Sequence, residues 1–130
     1  LSKFAIFPDE VILRQEAAER YNKFLQEVVE VKAPQTPAAY KSVWAQYSVL
    51  AKDSDRRTAL QKRLQENKIP TAIYYPKPLH LQTAFAFLGY APGAFPVSEN
   101  AASRIFSLPM HPYLQKEDQT KIAEIMKSAC

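Results

Sequence analysis

The amino-acid sequence predicts an α/β sandwich, in which helices cover one face of a small sheet of three to four strands. Apolar residues recur at helical spacing near both ends and in the middle of the chain. Short runs rich in β-branched and aromatic residues lie between these segments, and prolines end two of the runs. The chain has 130 residues, which is enough to bury the core of one domain.

The first predicted element is a long amphipathic helix from Asp9 to Val28. Asp9 follows Pro8, and aspartate is a preferred residue for capping the free N–H groups at a helix start. Residues 29–32 are predicted to extend as a short strand, and the prolines of residues 33–37 indicate a loop. The apolar stripe of the helix is expected to consist of Leu13, Ala17, Tyr21, Phe24, Leu25 and Val28.

Residues 42–50 are predicted to form a strand because they are rich in β-branched and aromatic side chains. Alternation would place Trp44 and Gln46 on one face, where a lone tryptophan is more often a core residue than a ligand platform. The other face would then carry Val43, Ala45, Tyr47 and Val49.

A second helix is predicted to begin at an Asp53 cap and to end near residues 67–68, with Leu60 and Leu64 in the core. Its charged residues are interpreted as a solvated face. They are Arg56, Arg57, Lys62, Arg63 and Glu66.

Five further elements are predicted in the C-terminal half. Pro76 and Pro78 would end the first of them and stiffen the loop that follows. The last helix is expected to turn Ile122, Ile125 and Met126 inward. In order, the elements are a strand at 71–75, a helical turn at 81–88 ended by Gly89, a helix from Ser98 to Arg104, a strand at 105–108 and a helix at 116–127.

Composition narrows the functional classes. The net charge of +4 is spread along the chain, which disfavours a nucleic-acid partner and suits a small anionic ligand.

A single cysteine, Cys130, cannot form an internal disulfide, so a reducing, cytoplasmic location is expected. No signal peptide or membrane-length apolar stretch is found, so no membrane association is expected. The chain begins with Leu1, which favours a piece of a longer polypeptide, although processing would also explain it.

Several kinds of site are disfavoured. The chain has only two glycines and no glycine-rich phosphate loop. Its two histidines are far apart and lack a cysteine cluster, so no metal site is expected. No serine lies in a nucleophile motif. His111, between Pro109 and Pro112, is interpreted as a packing and hydrogen-bonding residue.

The segment of residues 74–80, Tyr-Tyr-Pro-Lys-Pro-Leu-His, is the strongest candidate site. It follows a predicted strand, and loops at strand ends commonly hold ligand groups on a rigid frame. Its tyrosines suit stacking on a base or sugar, Lys77 suits a phosphate or carboxylate, and His80 suits hydrogen bonding near neutral pH. From composition alone, a surface turn with two half-buried tyrosines is the favoured interpretation.

Four stretches together resemble the C-terminal part of the DegT/DnrJ/EryC1/StrS family of sugar aminotransferases, and the Tyr-Pro-x-Pro-Leu-His pattern is the most specific of them. The stretches occur in the family's order along most of the chain. They are Phe-Pro-Asp-Glu at 7–10 with Arg14 and Arg20-Tyr21, Ser-Val-Trp-Ala-Gln-Tyr at 42–47, residues 69–80, and Leu-Pro-Met-His-Pro at 108–112.

The resemblance implies the small C-terminal domain of a fold-type-I enzyme over residues 1–130, with residues 9–28 as a long linking helix. In this family a large domain holds pyridoxal 5'-phosphate on a lysine, and the active site forms at a homodimer interface. That lysine segment lies upstream and is missing here, so the resemblance implies no catalytic or cofactor-binding residue in this chain. The fragment alone is expected to be inactive.

The resemblance also implies the substrates, glutamate and a keto-sugar nucleotide. It assigns His80 to the sugar, with Tyr75, Lys77 and Tyr74 beside it near the sugar or diphosphate. Many relatives carry histidine where this chain has Tyr74. The form of residues 42–47 is most similar to the branch acting on UDP-linked 3-keto-N-acetylglucosaminuronic acid in surface polysaccharide (O-antigen) biosynthesis. A non-catalytic nucleotide-sugar binding module, or a regulatory domain, is the alternative.

Overall fold

The computed structural model of the chain describes residues 2–128 and contains four α-helices, three strands and two 3-10 turns in that range. Cys130 lies outside the described residues. In chain order the elements are α1 (Ser2–Leu25), β1 (Val31–Lys32), β2 (Tyr47–Ala51), α2 (Ser54–Glu66), the 3-10 turns Leu79–Leu81 and Thr83–Leu88, α3 (Pro96–Arg104), β3 (Ile105–Leu108) and α4 (Lys116–Ser128).

The three strands form one antiparallel sheet in the order β1-β2-β3. Tyr47 of β2 is paired with Leu108 of β3, and Val31 of β1 is paired with Ala51 at the other end of β2. Helices packed on a small sheet confirm the predicted fold class.

The core lies between this sheet and the helices α1, α2 and α4. The Tyr21 and Tyr47 rings meet with centroids 4.8 Å apart, and both hydroxyls donate hydrogen bonds, to the Pro109 carbonyl and to Asn22 Oδ1. Burial raises the pKa of both phenols well above the ordinary tyrosine value. The predicted core positions Leu60, Leu64, Ile122 and Met126 are buried, and Ile125 packs against them.

Helix α1 begins earlier than predicted. It starts at Ser2 and runs through Pro8, so Asp9 lies inside the helix and does not cap it. The Pro8 ring removes one backbone hydrogen bond but leaves the preceding turn helical. The helix ends at Leu25 rather than Val28, although Val28 is still buried.

The predicted strand at 42–50 is correct only from Tyr47 onward. Trp44 adopts a left-handed backbone conformation (φ 50°), which breaks the alternation, so Val43 and Ala45 are exposed. Two side chains of α1 hold this turn: Arg14 donates to the Trp44 carbonyl at 2.9 Å, and the indole N–H donates to Gln15 at 3.1 Å. Trp44 is a core residue, as the sequence favoured.

Two other sequence-based expectations are wrong. The segment 71–75 is not a strand, since only Ala72 bridges Ser107 of β3 and prolines flank it on both sides. Ser98 lies inside α3, whose N-terminal cap is Phe95. The Asp53 cap of α2 and the left-handed Gly89 at the end of the second 3-10 turn are confirmed.

The charged face of α2 is only partly solvated. Arg56 pairs with Glu30, and Arg57 donates to the Ala102 carbonyl at 2.9 Å. Both guanidinium groups lie against neighbouring elements and are partly buried, whereas Lys62 and Arg63 are exposed as expected.

Candidate functional site

The candidate segment 74–80 leaves the edge of the sheet directly after the Ala72–Ser107 bridge. Its last residues enter the 3-10 turn Leu79–Leu81, where the Leu81 amide donates to the Pro78 carbonyl at 3.0 Å. Gln82 adds a side-chain hydrogen bond to the Lys77 carbonyl at 3.3 Å. Prolines and these short-range bonds therefore hold a loop that has almost no strand pairing of its own.

Three of the four predicted site residues line one shallow cleft, with a volume of about 230 Å³, between the loop and α3. They are Tyr74, Tyr75 and Lys77. Tyr75 is 71% exposed, and its ring meets that of Tyr74 edge-on at 6.2 Å. The far wall of the cleft comes from Ser98, Ala101 and Ala102. This cleft offers aromatic faces and one ammonium group to a ligand.

His80 is not in that cleft with the other three. Only 8% of its side chain is exposed, and its Nε2 atom lies 3.0 Å from Glu99 Oε1. The rings of Phe95, at 4.8 Å, and Tyr90, at 6.5 Å, cover the imidazole. The sequence predicted an imidazole presented to a ligand, but in the isolated chain local aromatic packing and the Glu99 carboxylate leave only a small edge of it open.

Glu99 forms hydrogen bonds with several groups of the surrounding loop. Its carboxylate accepts hydrogen bonds from the Gly93 amide at 2.9 Å and the Phe95 amide at 3.2 Å, in addition to its contact with His80. The Gly93 hydrogen bond is the largest cause that lowers the pKa of Glu99, and those of Phe95 and His80 act in the same direction. We call these four residues, His80, Gly93, Phe95 and Glu99, the Glu99 cluster.

Sequence reasoning missed Glu99. The available signal was an acidic residue in the first turn of a helix that lacks a side-chain cap of its own, after a loop containing Gly93. The pairing of that residue with a histidine 19 positions earlier is a tertiary contact, which local spacing does not reveal.

A larger groove, about 980 Å³, lies elsewhere, between α1 and the loop of residues 33–44. It contains none of the predicted site residues. No cluster of three or more histidine, cysteine, aspartate or glutamate side chains suited to a metal occurs within residues 2–128. In the same range, every helix is too short or too polar to cross a membrane.

The surroundings of the loop are apolar and uncovered. Apart from the His80 side chain, no residue from 65 to 101 is buried. We call residues 65–101 the open segment. The large apolar side chains exposed in it are Tyr74, Tyr75, Leu79, Phe85, Phe87, Leu88, Tyr90, Phe95 and Val97. Large apolar side chains exposed in such number within one stretch of chain favour a place where protein or ligand packs.

Comparison with known proteins gives consistent relatives. The model of the DegT/DnrJ/EryC1/StrS aminotransferase family matches residues 1–127. A pleiotropic regulatory protein of Geobacillus stearothermophilus is 41% identical over 85% of this chain and 30% of its own length. The UDP-2-acetamido-2-deoxy-3-oxo-D-glucuronate aminotransferase of Pseudomonas aeruginosa is 40% identical over 88% of this chain and 30% of the enzyme.

A solved structure gives the same result. A DegT DnrJ EryC1 StrS aminotransferase from Brucella abortus matches with a TM-score of 0.87 and 49% identity, covering 98% of this chain and 33% of that one. The chain therefore spans about a third of the length of these relatives. The resemblance inferred from the sequence motifs is confirmed.

Proposed function

The chain belongs to the DegT/DnrJ/EryC1/StrS aminotransferase family, and we propose that it is the small C-terminal domain of a pyridoxal-phosphate-dependent enzyme. This enzyme transfers an amino group from glutamate to a keto-sugar nucleotide. The observation that supports this most strongly is the family match over residues 1–127, together with 40% identity to a nucleotide-sugar aminotransferase. The activity is assigned to a longer polypeptide, of which this chain is about a third.

The described residues do not fit pyridoxal phosphate itself. The cofactor needs a lysine amine inside an enclosed pocket. Every lysine within residues 2–128 is exposed, and Lys77, the lysine of the candidate site, lies on a shallow cleft of about 230 Å³. We therefore assign the cofactor and its lysine to the rest of the polypeptide, and we assign substrate binding alone to this chain.

The cleft residues have the chemistry for one end of a nucleotide sugar. The exposed Tyr75 ring suits stacking on a base or sugar, with Tyr74 beside it. The Lys77 ammonium suits a diphosphate or carboxylate oxygen. His80 reaches the sugar only through the edge that its neighbours leave open. Prolines on either side of Lys77 reduce the entropy lost when the loop binds.

The open segment is assigned to contact with the missing two-thirds of the polypeptide, which carries the cofactor. Aromatic and aliphatic side chains from Tyr74 to Val97 remain uncovered in this chain, and a large domain packed there would bury them. The cleft would then face the cofactor, with α1 as the link between the domains. We further propose that the full enzyme is a cytoplasmic homodimer with its active site at the subunit interface.

The substrate is proposed to be UDP-linked 3-keto-N-acetylglucosaminuronic acid, used in surface polysaccharide biosynthesis. The relative from Pseudomonas aeruginosa carries this kind of substrate in its name. The Ser-Val-Trp-Ala-Gln-Tyr form of residues 42–47 supports the same branch.

The test uses the full-length polypeptide, supplied with pyridoxal phosphate, glutamate and the keto-sugar nucleotide, with mass spectrometry of the amino sugar product. Lys77→Ala is expected to raise KM for the nucleotide sugar about tenfold or more, because a hydrogen bond to a charged ligand group is lost. Lys62→Ala, an exposed lysine on α2, is the matched control. Absence of transamination would contradict the proposal, as would turnover by the 130-residue chain alone.

A regulatory role is the second candidate, because the relative from Geobacillus stearothermophilus is named as a regulatory protein. It predicts a full-length polypeptide that binds a nucleotide sugar but does not aminate it. Titration of the full-length protein with UDP-sugar, alongside the product assay, separates the two functions. Binding without product favours regulation, and binding with product favours the enzyme.

A further inference from the structure

Glu99 restricts which nitrogen of His80 carries a proton. An ionised carboxylate only accepts hydrogen bonds, so a ring nitrogen facing it must bear a hydrogen. Nε2 of His80 lies 3.0 Å from Glu99 Oε1, and the amides of Gly93 and Phe95 donate to the same oxygen. These amides stabilise the ionised form of Glu99, and so they favour a protonated Nε2.

The other ring nitrogen, Nδ1, has no hydrogen-bond partner among the described residues. In a neutral imidazole with Nε2–H, Nδ1 carries a lone pair and acts only as an acceptor. The Phe95 ring at 4.8 Å and the Tyr90 ring at 6.5 Å hold the imidazole plane, which opposes a flip that would exchange the two nitrogens.

We propose that Glu99 is a positioning residue that fixes His80 as the Nε2–H tautomer, so that Nδ1 accepts a hydrogen bond from a hydroxyl or amide group of the sugar. The identity of the ligand rests on the proposed function, whereas the tautomer does not. In this arrangement neutral His80 recognises a donor and does not recognise a carboxylate. Recognition of a uronate carboxylate then falls to a cation, and Lys77 is the cation of the adjoining cleft.

The tautomer is tested by nitrogen-15 NMR of the histidine side chains in the 130-residue chain. Spectra are recorded near pH 8.5, about two units above the ordinary histidine pKa. The sequence suggested His111 as a packing residue, but it is exposed and lies outside the Glu99 cluster, so it gives the internal reference for an unrestrained imidazole. His80 is expected to be more completely in the Nε2–H form than His111. A His80 tautomer ratio equal to that of His111, or a protonated Nδ1, would overturn the proposal.

Glu99→Gln is the informative variant, because it removes the charge but keeps an oxygen at the position to which Gly93 and Phe95 donate. That oxygen still accepts from Nε2–H, but only as a neutral acceptor, so it favours this tautomer less strongly. The ratio of tautomers at His80 is expected to shift about fivefold toward that of His111, as expected when a hydrogen bond to a charged group becomes a neutral one, while His111 does not change. An unchanged His80 ratio in this variant would refute a positioning role.

The ligand part is tested in the full-length polypeptide with two variants that differ in reach. With asparagine at position 80, the side-chain amide would lie near the position that Nδ1 of His80 occupies. With glutamine there, it would lie near the position of Nε2. KM for the nucleotide sugar is expected to be about 2- to 10-fold lower in His80→Asn than in His80→Gln, and so nearer to the unmodified value. This factor is the range for one neutral hydrogen bond.

These results separate the two proposals. If the NMR shows the fixed tautomer but both His80 variants bind the nucleotide sugar normally, the positioning by Glu99 stands and the ligand role of His80 fails. If His80→Gln binds better than His80→Asn, Nδ1 is not the binding atom and the inference is wrong, even though the transaminase assignment stands. KM for glutamate serves as the control in both variants.

Discussion

Aromatic side chains are buried in the sheet and its packed helices, but they are exposed in the open segment. Tyr21, Tyr47 and Phe106 of the core have no exposed surface. In the open segment, by contrast, Phe87 is 81% exposed, and apart from the His80 side chain no residue from 65 to 101 is buried. Both regions belong to one chain, so composition alone does not explain the difference.

The two regions are stabilised by different interactions. The core is stabilised by burial of apolar surface between elements distant in sequence, such as α1 and α4. The open segment is shaped by prolines, 3-10 turns and the hydrogen bonds of the Glu99 cluster. We therefore expect core substitutions to change folding of this chain, and substitutions in the open segment to change what it binds.

The largest expected effect is the loss of a core aromatic ring. Phe106→Ala should lower the free energy of unfolding by about 3–5 kcal/mol, because it removes a fully buried side chain and leaves a cavity. Phe87→Ala removes the same group from the open segment and should change it by about 0.5 kcal/mol or less. Denaturant unfolding of both variants is the measurement, and similar losses in the two would remove the distinction between the regions.

A buried polar group should give the next largest effect. Gln119 of α4 is fully buried, donates to the Ala17 carbonyl at 2.8 Å and accepts from Arg20 Nε at 2.6 Å. Gln119→Ala leaves both partners without this contact and should cost about 1–3 kcal/mol. Gln82→Ala, whose side chain bonds one loop carbonyl in the open segment, is the control and should cost less than Gln119→Ala. Equal losses would show that the core depends little on this pairing.

The elements that the sequence predicted well are those specified by local chemistry. The Asp53 cap, the Leu60 and Leu64 stripe of α2 and the strand 105–108 all follow from residues within a few positions of one another. The family resemblance likewise rests on contiguous motifs. Such features were readable without knowledge of the tertiary structure.

The features that the sequence did not reveal depend on distant residues. Trp44 is turned out of the predicted strand by bonds to Arg14 and Gln15, about thirty positions earlier. His80 is covered by Glu99 and Phe95, which lie on a later loop and helix. Three of the predicted site residues line one cleft because they are close together in the chain. The sequence did not separate His80 from them, because the separation arises from tertiary packing.

Helix caps should give a smaller effect that still distinguishes the regions. Asp53 accepts a hydrogen bond from the Arg56 amide at 2.7 Å, so Asp53→Ala should cost about 1 kcal/mol in the free energy of unfolding. Ser98 was predicted to cap α3 but lies within it, and Ser98→Ala should change stability by about 0.5 kcal/mol or less. A loss at Ser98 as large as that at Asp53 would contradict the observed start of α3.

The smallest expected effect is a local response of the open segment to acid. The pKa of Glu99 is lowered by the Gly93 hydrogen bond first, so the folded state favours the carboxylate. The stabilisation is therefore fully present above the ordinary glutamate pKa of 4.5 and is lost as pH falls through the lower folded value. Below that value, hydrogen exchange of the Gly93 and Phe95 amides, corrected for the intrinsic pH dependence, should become faster.

The core should respond differently, because the raised pKa values of Tyr21 and Tyr47 concern alkaline pH. Their contribution is fully present below the ordinary tyrosine pKa of 10.0 and is lost only as pH rises beyond it. Exchange at the Val49 amide in β2 is therefore the internal control in acid. In Glu99→Gln the acid response of Gly93 and Phe95 should disappear, since glutamine does not titrate. If that variant keeps the response, another group controls the loop and Glu99 does not organise the open segment.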